Sequence, residues 1–181
     1  MNEYRERLLG LLGKDDPFVV LADTPRLVVD LMGRIGEEGL SQQLAPGKWT
    51  AREIFAHLTD VEQGTGFRIR QIATSPPGHV IQPFDQDLWA KPYHSLPARA
   101  AVRAFTSLRS WNLFYYRSIS AEDRAKVGMH PERGEESVDI LIRMQAGHDR
   151  NHLAQLEAIA ALPEAPGPVE QEMRFDFNLE E

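Results

Sequence analysis

The stretch Ile140-Leu141-Ile142-Arg143-Met144-Gln145-Ala146-Gly147-His148-Asp149-Arg150-Asn151-His152-Leu153-Ala154-Gln155-Leu156-Glu157-Ala158-Ile159 reads as one helix with an unusual inward face. At about 100° per residue, with Leu141 at zero, Met144 falls at about −60°, His148 at about −20°, His152 at about +20° and Leu156 at about +60°. Ile159 returns to the starting direction, Asp149 falls to one side and Arg150 faces away. The two histidines therefore stand in the middle of an apolar stripe. They lie one above the other, because side chains at i and i+4 share a helix face. Burying two imidazoles without partners costs on the order of 1–3 kcal/mol each. A shared metal ion satisfies both at once.

Working outward, Ser137 is a plausible cap for this helix and Leu162-Pro163 ends it. The spacing predicts three further long helices. Thr24-Pro25 offers a cap followed by proline at the first helical position, with Leu27, Val28, Leu31, Met32 and Ile35 at helical spacing up to Gly36–Gly39. Thr50-Ala51-Arg52-Glu53 is a capping box, and Ile54, Leu58, Val61, Ile69 and Ile72 form the stripe that follows. His57 sits at the edge of that stripe. Val102, Phe105, Leu108, Leu113 and Tyr116 mark the third helix. The main helices are thus expected over about 24–36, 50–73, 97–118 and 138–161, with short helical segments at Asn2–Leu12 and Pro17–Ala22. No segment alternates apolar and polar residues for long, so the fold class is all-α, a four-helix bundle. Residues 76–95 read as a long proline-rich loop, a place where function often resides. Pro163–Glu181 reads as an acidic tail.

The 181 residues suggest a single domain. A net charge of −7 with scattered basic residues argues against a nucleic-acid surface. The chain has no cysteine, which excludes disulfides, a thiolate nucleophile and Cys-bound zinc. No apolar run approaches membrane-spanning length and the N-terminus is a poor signal peptide, so the expected location is cytoplasmic.

With His57 on a facing helix, three imidazoles can hold a divalent ion while leaving coordination positions open, as a reactive site requires. His79, His94 and His130 are not expected among the ligands, although His130 can approach the mouth of the site. Three competing motifs fit less well. His148-Asp149-Arg150-Asn151-His152 has Asp where a zincin carries Glu, and the chain lacks strands for a zincin sheet. A di-iron bundle needs Glu-x-x-His pairs, and there are none. Haem ligation would be an odd use of three convergent histidines.

Pro46-Gly47-Lys48-Trp49-Thr50-Ala51-Arg52-Glu53-Ile54-Phe55-Ala56-His57-Leu58-Thr59-Asp60, followed far downstream by His148-Asp149-Arg150-Asn151-His152-Leu153-Ala154-Gln155-Leu156, resembles the DinB-like (damage-inducible) superfamily. The resemblance runs from about Thr24 to Ala161. It implies a down-up-up-down four-helix bundle, a nickel or zinc site at His57, His148 and His152, and frequent homodimers. It also implies metal-dependent hydrolases, or transferases that use bacillithiol, mycothiol or glutathione as the attacking thiol.

Two functions follow as expectations. One is an enzyme in which the metal activates water or a low-molecular-weight thiol cosubstrate to attack an electrophilic small molecule, a hydrolase or a thiol S-transferase. The other is a non-enzymatic metal- or ligand-binding stress protein. For the enzyme, Phe84, Trp89 and Tyr93 are candidate pocket walls, with core packing as the alternative. Arg109 is a candidate anion anchor, or else a solvated surface residue. Asp60, one turn after His57, either orients that imidazole or faces solvent.

Overall fold

The computed structural model describes residues 3–76 and 78–163, so most of the acidic tail lies outside the described residues. A short helix, α1 (Glu3–Leu12), precedes four long ones: α2 (Pro17–Gly39), α3 (Ala51–Thr74), α5 (Ala98–Ser118) and α7 (Val138–Ala160). Two one-turn helices, α4 (Gln86–Ala90) and α6 (Ala121–Ala125), and strands β1 (His79–Val80), β2 (Val127–His130) and β3 (Gly134–Ser137) fill the connections.

Cross-helix bonds fix the directions of the long helices. Thr59 donates to the Ala101 carbonyl and Arg70 to Asn112, so α3 and α5 run side by side and parallel. His57 meets His148 while Glu62, further along α3, meets Gln145, earlier on α7; these two helices are antiparallel. Arg109 reaches Leu21 and Arg99 reaches Glu37, which makes α2 antiparallel to α5. Each long helix packs against two others, α2 and α3 lying on one diagonal and α5 and α7 on the other. The result is the down-up-up-down bundle.

Capping agrees with the sequence at two of the three expected starts. Thr50 and Glu53 form the capping box, and the Ser137 hydroxyl accepts from the Ile140 amide. The third start is corrected: α2 opens at Pro17, capped by Asp16, and Pro25 lies inside it. Both Asp16-Pro17 and Thr24-Pro25 carry the cap-then-proline signal. An interior proline leaves the carbonyl four residues earlier without its helical donor, and here the Leu21 carbonyl accepts instead from the Arg109 guanidinium at 3.1 Å. Near its other end, α2 is broken at Gly36, whose φ of 64° ends the regular run where the sequence expected it.

The 76–95 segment is also more ordered than a loop. It contains β1, α4 and a 3-10 turn at Tyr93–Ser95. β1 pairs parallel with β2, and β2 pairs antiparallel with β3, giving a ribbon of three short strands that periodicity did not signal. Strands of two to four residues are too short to show alternation.

Two apolar clusters fill the bundle. One gathers Leu31, Ile54, Phe55, Leu58, Phe105 and Ile159; the other gathers Leu21, Ile69, Leu113, Tyr116, Leu141 and Ile142. Between them on the helices lie the buried polar side chains Glu62, Arg109, His148, Asp149 and His152, with His57 at the edge of the first cluster and Gln145 at the edge of the second.

Helix α1 packs closely on α7 because Gly147 has no side chain. A Cβ placed there would sit 1.9 Å from the Leu8 carbonyl oxygen. Gly147→Ala must therefore push α1 away, at a cost of about 1–3 kcal/mol, seen as a lower melting temperature and faster amide exchange in α1. Gly10→Ala, where nothing lies within 4 Å, should be neutral or stabilising in the same assay.

Candidate metal centre

His57 lies two turns into α3, and His148 and His152 face it from α7. The Nε2 atoms of His57 and His148 are 2.9 Å apart, and those of His152 and His148 are 3.1 Å apart. All three donor atoms lie within 4.8 Å of one another, and all three side chains are buried. Ligands about 2.0–2.1 Å from a common ion stand roughly 3–3.5 Å apart, which is the spacing of the two Nε2 pairs that include His148. The donor set fits a divalent metal in its electrostatics as well. Burial, reinforced by His152, pulls the His57 pKa to about 3. Burial likewise holds His148 well below the ordinary histidine value, and lowers His152. Neutral imidazoles with converging lone pairs are the form that binds metal.

For Nε2 to offer its lone pair, Nδ1 must carry the proton. At His152 that proton has an acceptor, Gln155 Oε1 at 2.8 Å, one turn along α7. The Nδ1 atoms of His57 and His148 are buried and have no hydrogen-bond partner among the described residues. Asp60 does not serve His57. Its carboxylate accepts from the Tyr93 hydroxyl at 2.7 Å, and burial, followed by this bond, raises the Tyr93 pKa.

Trp49 closes one side of the site. Its ring lies 4.5 Å from that of His57, is stacked 6.2 Å from His152, and meets Tyr93 edge-on. Local backbone geometry presents it: Pro46-Gly47 makes a turn with Gly47 at φ 78°, closed by the Lys48 amide on the Ala45 carbonyl, and Trp49 immediately precedes the Thr50 cap. A cavity of about 360 Å³ also reaches the site, with His148 in its wall beside Tyr4, Leu8, Thr65, Arg68 and His130. Phe84 lines this cavity and stacks on the exposed Trp89, whereas Tyr93 is buried on the Trp49 side. His79 and His94 are not among the converging donors.

Arg109 is neither a surface residue nor open to an incoming anion. It is 1% exposed, and its guanidinium donates to Glu62, to both oxygens of Asp149 and to the Leu21 carbonyl. Burial works against its charge, but Asp149 and Glu62 outweigh that and hold its pKa above the ordinary arginine value. Asp149 follows His148 directly, and Glu62 stands five residues after His57. Gln145 and Asn112 complete the bonding of Glu62 at 2.6 and 2.7 Å. The sequence reading missed Glu62, Gln145 and Gln155, although spacing held a signal for two of them: Gln145 and Gln155 each stand three residues from a histidine.

Comparison with known proteins agrees with this architecture. The model of the DinB superfamily matches residues 21–156, and the chain belongs to that superfamily. It is 28% identical over 140 residues to a protein of Oceanobacillus iheyensis provisionally named a metal-dependent hydrolase, covering 77% of this chain and 81% of the relative. A Bacillus cereus protein of the same provisional name is 28% identical over 142 residues, covering 77% and 80%. Among solved structures, YfiT from Bacillus subtilis, described as a probable metal-dependent hydrolase with an unusual four-helix bundle topology, superposes with a TM-score of 0.74. That match has 17% identity and covers 79% of this chain and 83% of YfiT, and it establishes the shared fold.

Two expected outcomes follow from the buried titratable groups. Arg109→Met leaves Glu62 and Asp149 buried without their cation and should cost about 3–5 kcal/mol in denaturant unfolding. The histidines give a pH dependence of defined sign. Their folded pKa values lie below 6.5, so their contribution to stability is complete above that pH. As pH falls from about 6.5 toward about 3, the unfolded chain takes up protons that folded His57 refuses, and stability drops. Metal-free protein should therefore melt at progressively lower temperature below pH 6.5, and more steeply than a variant with all three histidines replaced by glutamine.

Proposed function

We propose that this protein is a metal-dependent enzyme whose ion is held by Nε2 of His57, His148 and His152, and that it is a hydrolase or thiol S-transferase acting on a small electrophilic molecule. The observation that carries the reading is the convergence of three buried, neutral imidazoles, one of which, His148, stands in the wall of an accessible cavity. A bound divalent ion with open coordination positions polarises an electrophile and lowers the pKa of water or of a thiol near it. Nickel and zinc both suit imidazole ligands.

The rest follows from the chain's own residues. Gln155 fixes the tautomer of His152 by accepting its Nδ1 proton. Trp49 and Tyr93 cover the flank of the site and keep water from it on that side. The Glu62–Arg109–Asp149 cluster holds α3 and α7 in the register that brings His57 opposite His148. The substrate reaches His148 through the cavity bounded by α1, α3 and α7. A protein without cysteine supplies no thiol of its own, so a thiol nucleophile has to arrive as a cosubstrate through the same cavity. That opening favours catalysis over metal storage, the non-enzymatic alternative.

Elemental analysis of the purified protein should show a bound divalent metal, near one equivalent per chain, removable by chelators. His148→Ala should lose that metal and any activity against thiol-reactive electrophiles or hydrolysable substrates, while circular dichroism shows a folded bundle. Trp49 fluorescence offers an independent readout, since its ring lies 4.5 Å from His57 and should respond when metal is added back. A wild-type protein with no affinity for nickel or zinc would overturn the proposal.

A further inference from the structure

The cavity is asymmetric in charge, and the asymmetry concerns Arg68. Along α3, His57, Val61, Thr65 and Arg68 are spaced four, four and three residues apart and so share one face. Val61, Thr65 and Arg68 all line the cavity. Eleven residues of helix put Arg68 about 16 Å along the axis from His57, and a helical side chain leans back toward the N-terminus, here toward the histidines. Across the cavity, Leu141 and Met144 of α7 lie between the Arg68 end and His148. The space thus has a cationic end, an apolar middle and an imidazole end.

Arg68 differs from the other cation in the wall. Arg133 is neutralised by Glu136, with bonds of 2.6 and 2.9 Å. Arg68 is held by uncharged partners, the Gln82 carbonyl at 3.0 Å and the Phe84 ring at 4.8 Å, and among the described residues no carboxylate forms an ion pair with it. It is positioned but not neutralised, in a chain whose net charge is −7.

We infer that the cavity takes a small molecule carrying a carboxylate or phosphate group, anchored by Arg68, with an apolar middle against Leu141 and Met144 and its reacting end at His57, His148 and His152. The inference rests on the functional reading above for the reacting end alone; the anchor is independent of it. Burial, and after it the neighbouring Arg133, draw the Arg68 pKa down against the smaller opposing effects of Glu136 and Tyr4, and an arriving anion offsets the burial.

The test is calorimetric titration of metal-loaded protein with inorganic phosphate, acetate and hexanoate. Wild type should bind phosphate or hexanoate, the latter more tightly than acetate because of the apolar middle, and binding should weaken with added salt. Arg68→Gln should weaken binding at least about tenfold, the loss of a charge-assisted hydrogen bond. Arg68→Lys should retain part of it, and Glu132→Gln at the cavity wall should tighten it. Arg117→Gln, on the exposed end of α5, should change nothing. The same titrations on His148→Ala separate the two readings: binding there that still depends on Arg68 supports the anchor whatever the metal content proves to be. Unchanged binding in Arg68→Gln, binding lost only in His148→Ala, or no binding of either anion by wild type would each overturn the inference. Melting curves for every variant ensure that lost binding reflects the anchor and not the fold.

Discussion

A single guanidinium ties the bundle together across its interior. Arg109 belongs to α5 and bonds to the Leu21 carbonyl of α2, to Glu62 of α3 and to Asp149 of α7. Isolated, a buried arginine is prohibitively costly, and so are two buried carboxylates; together they are tolerable only when all three meet with good geometry. A helix that slid by one turn would separate the partners and expose that cost in full. The cluster therefore contributes to register more than to net stability. Because Asp149 is bonded to His148 through the chain and Glu62 lies little more than a turn from His57, fixing the ion cluster also fixes the imidazoles.

That arrangement explains why the core is divided. A bundle filled with leucine and isoleucine from end to end would be simpler to stabilise, but its helices would slide more easily past one another. Here each end is apolar and the intervening residues carry charge and imidazole. Three imidazoles held close together and kept neutral by burial can offer their Nε2 atoms to one ion only if their rings are held in fixed orientations. The polar layer beneath them and the Trp49 ring beside them keep them from turning apart.

Much of this was legible in the sequence, for physical reasons that can be named. The four long helices showed because each has an apolar stripe of helical period, and the Thr50 and Ser137 caps because their hydroxyls satisfy amides close by in the chain. His148 and His152 stood out because polar residues inside an apolar stripe demand a partner, and His57 because it sits at the edge of the stripe on a facing helix. What escaped were features defined by distant parts of the chain. Pro25 looked like a helix start because a local reading cannot know that Arg109, 84 residues later, will take up the carbonyl that proline strands. Arg109 looked like a surface residue or an anion anchor because its carboxylates lie on other helices. Asp60 was placed one turn from His57 correctly, but its partner, Tyr93, comes from a segment that read as loop.

Gly147 has a wider meaning when set beside the extent of the family match. That match begins at residue 21, so α1 lies before it. The histidines and Arg109, like Glu62 and Asp149, all fall within the matched span, whereas Tyr4 and Leu8, which shape the cavity, do not. The cavity is thus walled by two parts of the chain, the matched span that carries the three histidines and α1 outside it, and they meet where α1 settles on the bare backbone of Gly147. A change at Tyr4 or Leu8 would therefore reshape the cavity wall while leaving the three converging imidazoles and their Nε2 atoms in the matched span.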